Sequence, residues 1–230
     1  MAPSVLYRYR SLAGDSFKHA QDIFLRNRLY LGLASQMNDP SEGICVLQHP
    51  GGPIVPGASQ ADIYAYGNYA WGMQIRHDHS RSELRLASFS AVKTNPLLWA
   101  HYADAHRGIC IGFNTVAASE ISRAVPVQYS LSPPIWRGND RHLLASVFCT
   151  KNSDWAYEEE WRIFGEGSEF VPLPTGAISQ VILGAKILPQ DEGWVRDWVR
   201  IHGGAIRIER AVFDTDRYAM RTVAAQQDSD

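Results

Sequence analysis

The stretch Trp155-Ala-Tyr-Glu-Glu-Glu-Trp-Arg162 is the most informative part of this chain. If it forms a strand, its side chains alternate between two faces, which places Glu158, Glu160 and Arg162 together on one of them. Two carboxylates on one face repel each other unless a cation, a bound ligand or a shared proton compensates. The pattern therefore has two interpretations: a site for chemistry on a cationic centre, or a salt-bridged surface strand.

Strand patterns outnumber helix patterns along the rest of the chain. Short apolar or alternating segments predict strands over residues 5–9, 28–33, 84–90, 108–113, 125–129, 178–183, 205–213 and 218–223, and a hairpin of residues 159–164 with residues 169–173. Helices are predicted to begin at Asp15 or Ser16 and at Asn95-Pro96, and to cover residues 61–75, 141–148 and 189–201, the last with Trp194, Val195, Trp198 and Ile201 facing inward. Residues 77–82 are predicted to form a polar loop.

These elements do not follow a strict βαβ rhythm, so the predicted class is α+β, with mixed or antiparallel sheets and flanking helices. We expect one domain over residues 1–223 and a polar C-terminal tail over residues 224–230.

Composition limits the kinds of partner. The chain has 230 residues and a net charge of −2, so no overall positive field indicates a nucleic acid ligand. No apolar stretch approaches the length of a membrane helix or a signal peptide, and we expect no membrane partner. Three widely spaced cysteines are typical of a reducing cytoplasm rather than of a disulfide framework.

Three other segments carry candidate ligand-binding groups. Tyr102 can stack on a ligand at the mouth of a pocket while His101 hydrogen-bonds it, or both can be ordinary structural residues. Arg8 and Arg10 share one face of the first strand, where they need an anion. The Glu158 and Glu160 face and a nucleotide pyrophosphate are the two candidate anions, and solvated arginines on an edge strand are the alternative. The loop Asn38-Asp-Pro-Ser-Glu-Gly43 follows a strand, a common place for ligand contacts.

Several familiar kinds of site lack their sequence pattern. His77-Asp-His79 has no third ligand at a diagnostic spacing, so we predict no metal site. There is no Gly-x-Ser-x-Gly motif, no phosphate-binding loop and no Gly-x-Gly-x-x-Gly after a strand. Cys110 lies in an apolar segment that is typical of a buried, unreactive thiol.

Taken in order, several blocks resemble a bacterial family, domain of unknown function 2971. These blocks are Leu6-Tyr-Arg-Tyr-Arg-Ser11, Ala34-Ser-Gln-Met-Asn-Asp-Pro-Ser-Glu42, Ser88-Phe-Ser90, Asn95 to Phe113 with its Trp-Ala-His-Tyr-Ala-Asp-Ala-His-Arg-Gly core, Trp155 to Arg162, and Val181-Ile-Leu-Gly184. Ser41 departs from the aromatic residue expected in the family pattern, so a hydrophobic plug under that loop is expected to be missing.

The layout is also similar, more weakly, to that of ADP-ribosyltransferases, which place an early basic strand, a central Ser-x-Ser block and a late Glu-x-Glu strand around a cleft between two sheets. That resemblance implies NAD as the substrate and no metal. It implies catalytic roles for Glu160, Glu158 and His101. The implied NAD-binding residues are Arg10, Arg8, Ser35, Asn38, Ser90, Tyr102 and Arg162.

Three functional hypotheses follow from these observations. The first is an ADP-ribosyltransferase or NAD glycohydrolase, a toxin or phage-defence effector whose acceptor is a protein, a nucleic acid or a small molecule. The second is a nucleic-acid or nucleotide hydrolase that uses glutamate and histidine as acid and base. The third is a module that senses a ligand without turnover. Carboxylates closed into salt bridges without a cleft would favour the third.

Overall fold

A computed structural model describes residues 2–48, 52, 56–136, 147–165 and 167–225. The helix predicted over residues 141–148 lies almost entirely outside the described residues, as do residues 226–230 of the predicted tail.

The described residues form five α-helices, two short 3-10 helices and fifteen strands. The helices are α1 (Asp15–Leu25), α2 (Gln60–Glu83), α3 (Pro96–Tyr102), α4 (Ser119–Ser122) and α5 (Pro189–His202), and the 3-10 helices are Ala34–Gln36 and Ser153–Glu158. The strands are β1 (Val5–Arg10), β2 (Arg28–Tyr30), β3 (Gly32–Leu33), β4 (Val46–Leu47), β5 (Arg85–Ser90), β6 (Ile109–Asn114), β7 (Val125–Pro126), β8 (Gln128–Ser130), β9 (Ile135–Trp136), β10 (Thr150–Asn152), β11 (Glu160–Gly165), β12 (Phe170–Pro172), β13 (Ile178–Leu183), β14 (Arg207–Asp214) and β15 (Ala219–Ala224).

A nine-stranded sheet organises these elements. Its order is β15-β14-β13-β6-β1-β5-β11-β7, and β3 also pairs with β5. The β13–β14 pair is parallel and its other pairs are antiparallel. Three two-stranded sheets join β10 to β8, β12 to β2 and β4 to β9. The predicted α+β class is confirmed.

The apolar strand β6 lies in the middle of the sheet because both of its faces are covered. Ile109, Ile111 and Phe113 face the core beneath α1 and α5, whereas Cys110 faces the core beneath α3. This two-sided burial explains why the segment is apolar at nearly every position rather than alternating.

The sheet opens between β1 and β5. On one side, β1 pairs with β6 over its full length. On the other side, β1 pairs with β5 only through Tyr7 and Ser90. Farther along β5, the short strand β3 pairs with Leu86 and Arg85 instead. The opening therefore lies between β1, β3 and β5.

Several predicted elements are wrong in detail. β11 and β12 do not form a hairpin with each other, because β12 pairs with β2 and β11 pairs with β5 and β7. The predicted strand over residues 28–33 is split at Leu31, whose side chain turns into the core. Residues 77–82 are not a loop, since α2 continues through them to Glu83. A hydrogen bond of 2.9 Å from Gln74 to Asp78, one helical turn apart, supports that continuation.

Two predictions about the C-terminal part also need correction. On α5 only Val195 and Trp198 of the predicted inward residues are buried, while Trp194 and Ile201 lie at the solvent-exposed margin. β15 extends to Ala224, the first residue of the predicted tail, because Ala224 pairs with Glu209 of β14. Among the described residues, no helix combines the length and apolar character needed to cross a membrane.

Candidate functional site

The opening between β1, β3 and β5 is a cavity of about 300 Å³. This volume is at the lower end of the range typical of small-molecule sites. Its walls include Arg8 and Arg10 from β1, Ser90 from β5, and Tyr102 from the end of α3. Glu158, Glu160 and Lys151 complete the wall on the side of β11. The cavity therefore brings together the first strand, the Ser-x-Ser block and the Glu-x-Glu motif.

Glu158 and Glu160 lie on two different elements, a 3-10 helix and a strand, rather than on one strand. Residues 153–158 form a 3-10 helix, Glu159 adopts a left-handed conformation with φ 44° and ψ 51°, and the strand begins only at Glu160. Asn152 starts the helix because its side chain accepts a hydrogen bond of 2.9 Å from the Asp154 backbone N–H. Residues 155–162 are thus not one strand, but the predicted strand over residues 159–164 is present as β11, and Glu158, Glu160 and Arg162 still converge.

A buried network of charges surrounds the two glutamates. Lys151 Nζ lies 2.6 Å from Glu158 Oε2, 3.3 Å from Glu160 Oε2 and 3.6 Å from Glu42 Oε1. Arg162 donates to both oxygens of Glu160, at 2.8 and 2.9 Å, and to both oxygens of Glu42, at 2.8 and 2.6 Å. Three carboxylates thus face two cations, and none of the five side chains is more than 4% exposed.

This environment separates the pKa values of the two cavity-lining carboxyls. Burial alone would raise the pKa of Glu160, but Arg162 and Lys151 outweigh it and lower that pKa to about 2. For Glu158, burial prevails over the opposing effects of Lys151 and Tyr102, and its pKa is raised. Pairs of titratable groups with pKa values pushed apart are typical of sites where one group stays ionised and the other exchanges a proton.

Hydrogen bonds fix the position of each glutamate. The Tyr102 hydroxyl donates to Glu158 Oε1 over 2.7 Å. The Ser90 hydroxyl donates to the Glu158 carbonyl over 2.6 Å, and the Tyr129 hydroxyl oxygen accepts the Glu160 backbone N–H over 2.8 Å. Ser90 is thus a positioning residue in this structure, whereas Tyr102 presents its ring to the cavity while it binds a carboxylate.

The two arginines of β1 have no carboxylate partner among the described residues. Arg8 donates to the Ser88 carbonyl over 3.5 Å and lies over the Phe89 ring, 5.7 Å from its centroid. The Nε and Nη2 atoms of Arg10 are buried and have no hydrogen-bond partner. Burial lowers the pKa of Arg10 to about 10, which leaves it charged at neutral pH. Of the two candidate anions for these arginines, the Glu158 and Glu160 face forms its salt bridges with Lys151 and Arg162 instead.

The other predicted site residues divide between the cavity and its surroundings. Asn38 lines the cavity, but Ser35 is exposed and does not. Arg162 is fully buried behind Glu160 and acts on the cavity through that carboxylate. His101 is exposed on α3, with its ring 6.2 Å from both the Tyr102 and Trp155 rings, and is not part of the cavity wall.

Sequence reasoning missed Lys151 and Glu42 as members of the charge network. Glu42 belongs to the loop Asn38-Asp-Pro-Ser-Glu-Gly43, which was considered for ligand contacts rather than for a buried ion pair. A lone lysine on the short strand β10 has no pattern that marks it as buried. The surplus of carboxylates in Glu158-Glu-Glu160 was the available indication that a further cation was needed.

The described residues contain no group of three histidine, cysteine, aspartate or glutamate side chains arranged to hold a metal ion. The side chains of His77 and His79 lie outside that description. The cysteines at positions 45, 110 and 149 are free thiols, and burial raises the pKa of Cys110 well above its ordinary value.

Part of the chain matches a known family model. Residues 98–163 match the model of a family described as "Protein of unknown function (DUF2971)". The DUF2971 segment contains Tyr102, Lys151, Glu158, Glu160 and Arg162, and so supplies the carboxylate wall of the cavity. Arg8, Arg10 and Glu42 lie outside that segment. Searches of curated proteins and of solved structures gave no match.

Proposed function

We propose that this protein cleaves the bond between nicotinamide and ribose in NAD, as an ADP-ribosyltransferase or as an NAD glycohydrolase. One observation carries the proposal: the same cavity contains a carboxylate pair with opposite pKa shifts and two arginines that form no salt bridge with a carboxylate of the described residues. The carboxylates suit a substrate centre that becomes positive, and the arginines suit phosphates. NAD combines a cationic nicotinamide ring with a pyrophosphate.

In the proposed reaction, the bond between ribose C1′ and the nicotinamide nitrogen breaks, and its electron pair leaves with nicotinamide. Positive charge then develops on the ribose. The nucleophile forms a new bond to C1′ and gives its proton to a base. Water is the nucleophile in the glycohydrolase form, and a protein, nucleic acid or small molecule is the nucleophile in the transferase form.

Glu160 and Glu158 take different roles in this reaction. Glu160, kept ionised by Arg162, stabilises the developing positive charge on the ribose. Glu158, whose pKa is raised by burial, accepts the proton of the nucleophile. Tyr102 holds Glu158 through its hydroxyl and presents its ring to nicotinamide. Arg8 and Arg10 bind the phosphates.

A ligand-sensing module without turnover is the second candidate. The observation in its favour is that Glu158 and Glu160 are both closed into buried salt bridges. Such a network can be purely structural, since buried ion pairs perturb pKa values without catalysis. The cavity beside the network favours the enzyme. A glutamate and histidine hydrolase receives less support, because His101 lies outside the cavity wall.

The deciding experiment measures NAD binding and nicotinamide release by the purified protein and by Glu160→Gln. Glu120→Gln is the matched control, since Glu120 is an exposed glutamate paired with Arg123. Far-ultraviolet circular dichroism and thermal unfolding report whether each variant is folded. Tyr102→Phe is a second variant, which removes the hydrogen bond to Glu158 with little change in shape.

We expect release by the wild type and by Glu120→Gln, no release by folded Glu160→Gln, and slower release by Tyr102→Phe. Wild-type turnover that persists in Glu160→Gln would overturn the assigned role of this carboxylate. NAD binding without release, tested with candidate acceptors present, would favour the sensing module. A wild type that does not bind NAD would overturn the proposal.

A further inference from the structure

One part of the cavity wall is aromatic. His19 of α1 and Tyr30 of β2 both line it, with ring centroids 3.8 Å apart and planes within 11° of parallel. Both side chains are half-buried, so they keep surface for a ligand. In a stacked pair each ring covers one face of the other, so the surface on which a planar base can stack is an outer face of the pair.

Neighbouring residues hold Tyr30 in place. The Phe170 ring meets the Tyr30 ring edge-on at 5.7 Å, and the Arg28 guanidinium lies 3.8 Å from the Phe170 centroid. Arg28 is itself fixed by two hydrogen bonds, of 3.0 and 2.7 Å, to one carboxylate oxygen of Asp22. The aromatic wall is therefore ordered before any ligand binds.

The wall lies next to the arginines. Arg10 and His19 both line the cavity, and the charge of Arg10 contributes to the lowering of the pKa of His19. One line of paired residues crosses three strands, with Tyr7 on β1, Ser90 on β5 and Glu160 on β11. Arg10 lies three residues beyond Tyr7 along β1. At the usual rise along a strand, that step is about 10 Å. Along the backbone of β1, Arg8 and then Arg10 lie progressively farther from the line of Ser90 and Glu160.

We propose that the His19 and Tyr30 wall binds the purine base of a ligand whose diphosphate lies on Arg8 and Arg10. The site then takes a dinucleotide across its whole length, with the base at the wall and the reacting ribose at the carboxylates. Burial and the charge of Arg10 lower the pKa of His19, so its ring is neutral at neutral pH and suited to stacking. The identification of the dinucleotide as NAD rests on the proposed function, but base binding does not.

The test uses ADP and inorganic pyrophosphate as probes, with titration calorimetry on the full chain. Tyr30→Leu removes the aromatic surface, Tyr30→Phe retains it, and Arg10→Gln removes a phosphate ligand. Tyr64→Leu is the control for the same change at an exposed position on α2. Thermal unfolding of each variant checks that it is folded.

We expect Tyr30→Leu to weaken ADP binding roughly tenfold or more and to leave pyrophosphate binding unchanged. Tyr30→Phe and Tyr64→Leu should bind both probes like the wild type, and Arg10→Gln should weaken both. Wild-type protein that does not bind ADP, or Tyr30→Leu that binds ADP normally, would overturn the inference. An equal loss of both probes in Tyr30→Leu would overturn it too, since that result indicates collapse of the site.

The two proposals fail in different ways. Tyr30-dependent ADP binding in a protein that releases no nicotinamide leaves the base site standing and removes the NAD chemistry. Nicotinamide release with an unchanged KM for NAD in Tyr30→Leu leaves the chemistry standing and removes the base site.

Discussion

Arg162 binds both oxygens of Glu160 from a position two residues farther along the same strand. The pair lies on one face of β11, and Glu42 binds the other edge of the same guanidinium. Paired hydrogen bonds of this kind orient a carboxylate more strictly than a single charge can. Glu160 is therefore held ionised and fixed at the cavity wall before a ligand arrives.

Replacement of Arg162 by lysine should destabilise the protein strongly. Lysine is a point charge that cannot reproduce two paired contacts, and the substitution leaves Glu42 and Glu160 incompletely paired in a buried setting. We expect a loss of about 3 kcal/mol in the free energy of unfolding, measured by urea denaturation. Arg123→Lys is the control, because Arg123 pairs with Glu120 at a side chain that is 76% exposed. Arg123→Lys should lower the free energy of unfolding by no more than about 0.5 kcal/mol. Equal losses in the two variants would contradict the importance of the buried network.

The lowered pKa of Glu160 predicts an acid-sensitive contribution to stability. Its pKa is about 2 in the folded protein against an ordinary value of 4.5. The ionised carboxylate therefore stabilises the fold fully above pH 4.5, and this contribution is lost as the pH falls towards 2. Linkage gives a magnitude of about 3 kcal/mol. Glu158 contributes to stability with the opposite dependence on pH. Because its pKa is raised in the folded protein, its contribution is largest below the ordinary pKa of 4.5 and is lost as the pH rises.

The measurement is the free energy of unfolding of wild type and Glu160→Gln between pH 7 and pH 3. We expect the wild type to be more stable at pH 7 and the difference between the two proteins to shrink with acid. A difference that is independent of pH would show that Glu160 does not carry a lowered pKa.

The left-handed conformation of Glu159 predicts a stabilising substitution. Glu159 has φ 44°, which costs a residue with a side chain about 1 kcal/mol and costs glycine almost nothing. Its side chain is exposed, so Glu159→Gly should raise the melting temperature, whereas Glu159→Val should lower it. If both variants melt at lower temperature than the wild type, the conformation between Glu158 and Glu160 is not the one described.

Local patterns in the sequence were sufficient to predict much of the fold. The apolar segment around Ile111 predicted the central strand β6, and Asn95-Pro96 predicted the start of α3, where Asn95 does accept the Leu97 N–H over 2.9 Å. In both cases the residues that determine the element lie within it. The hairpin of residues 159–164 with 169–173 failed because strand pairing depends on distant partners, here β2 and β5.

The site was predictable only in part for the same reason. The pattern of Glu158, Glu160 and Arg162 indicated a carboxylate pair beside one cation, but the second cation, Lys151, comes from the separate strand β10. The 3-10 helix over Ser153–Glu158 was not predicted, because the alternation of residues 155–162 is typical of a strand. Convergence of separate segments on one cavity is a tertiary property, and no local pattern contains it.

Gly108 predicts a link between the DUF2971 segment and the arginine side of the cavity. A methyl group at Gly108 would lie 2.1 Å from the Arg10 carbonyl oxygen, which is backbone and cannot move without displacing β1. We expect Gly108→Ala to cost about 2 kcal/mol or more in the free energy of unfolding. It should also weaken pyrophosphate binding, because β1 carries Arg8 and Arg10. Gly193→Ala is the matched control: nothing lies within 4 Å of its methyl position on the exposed side of α5, so this variant should gain up to about 1 kcal/mol. Urea denaturation and titration with pyrophosphate measure both effects. A Gly108→Ala variant as stable as the wild type would contradict the close approach of Gly108 to the end of β1. A destabilised variant with unchanged pyrophosphate binding would show that this contact does not position the arginines.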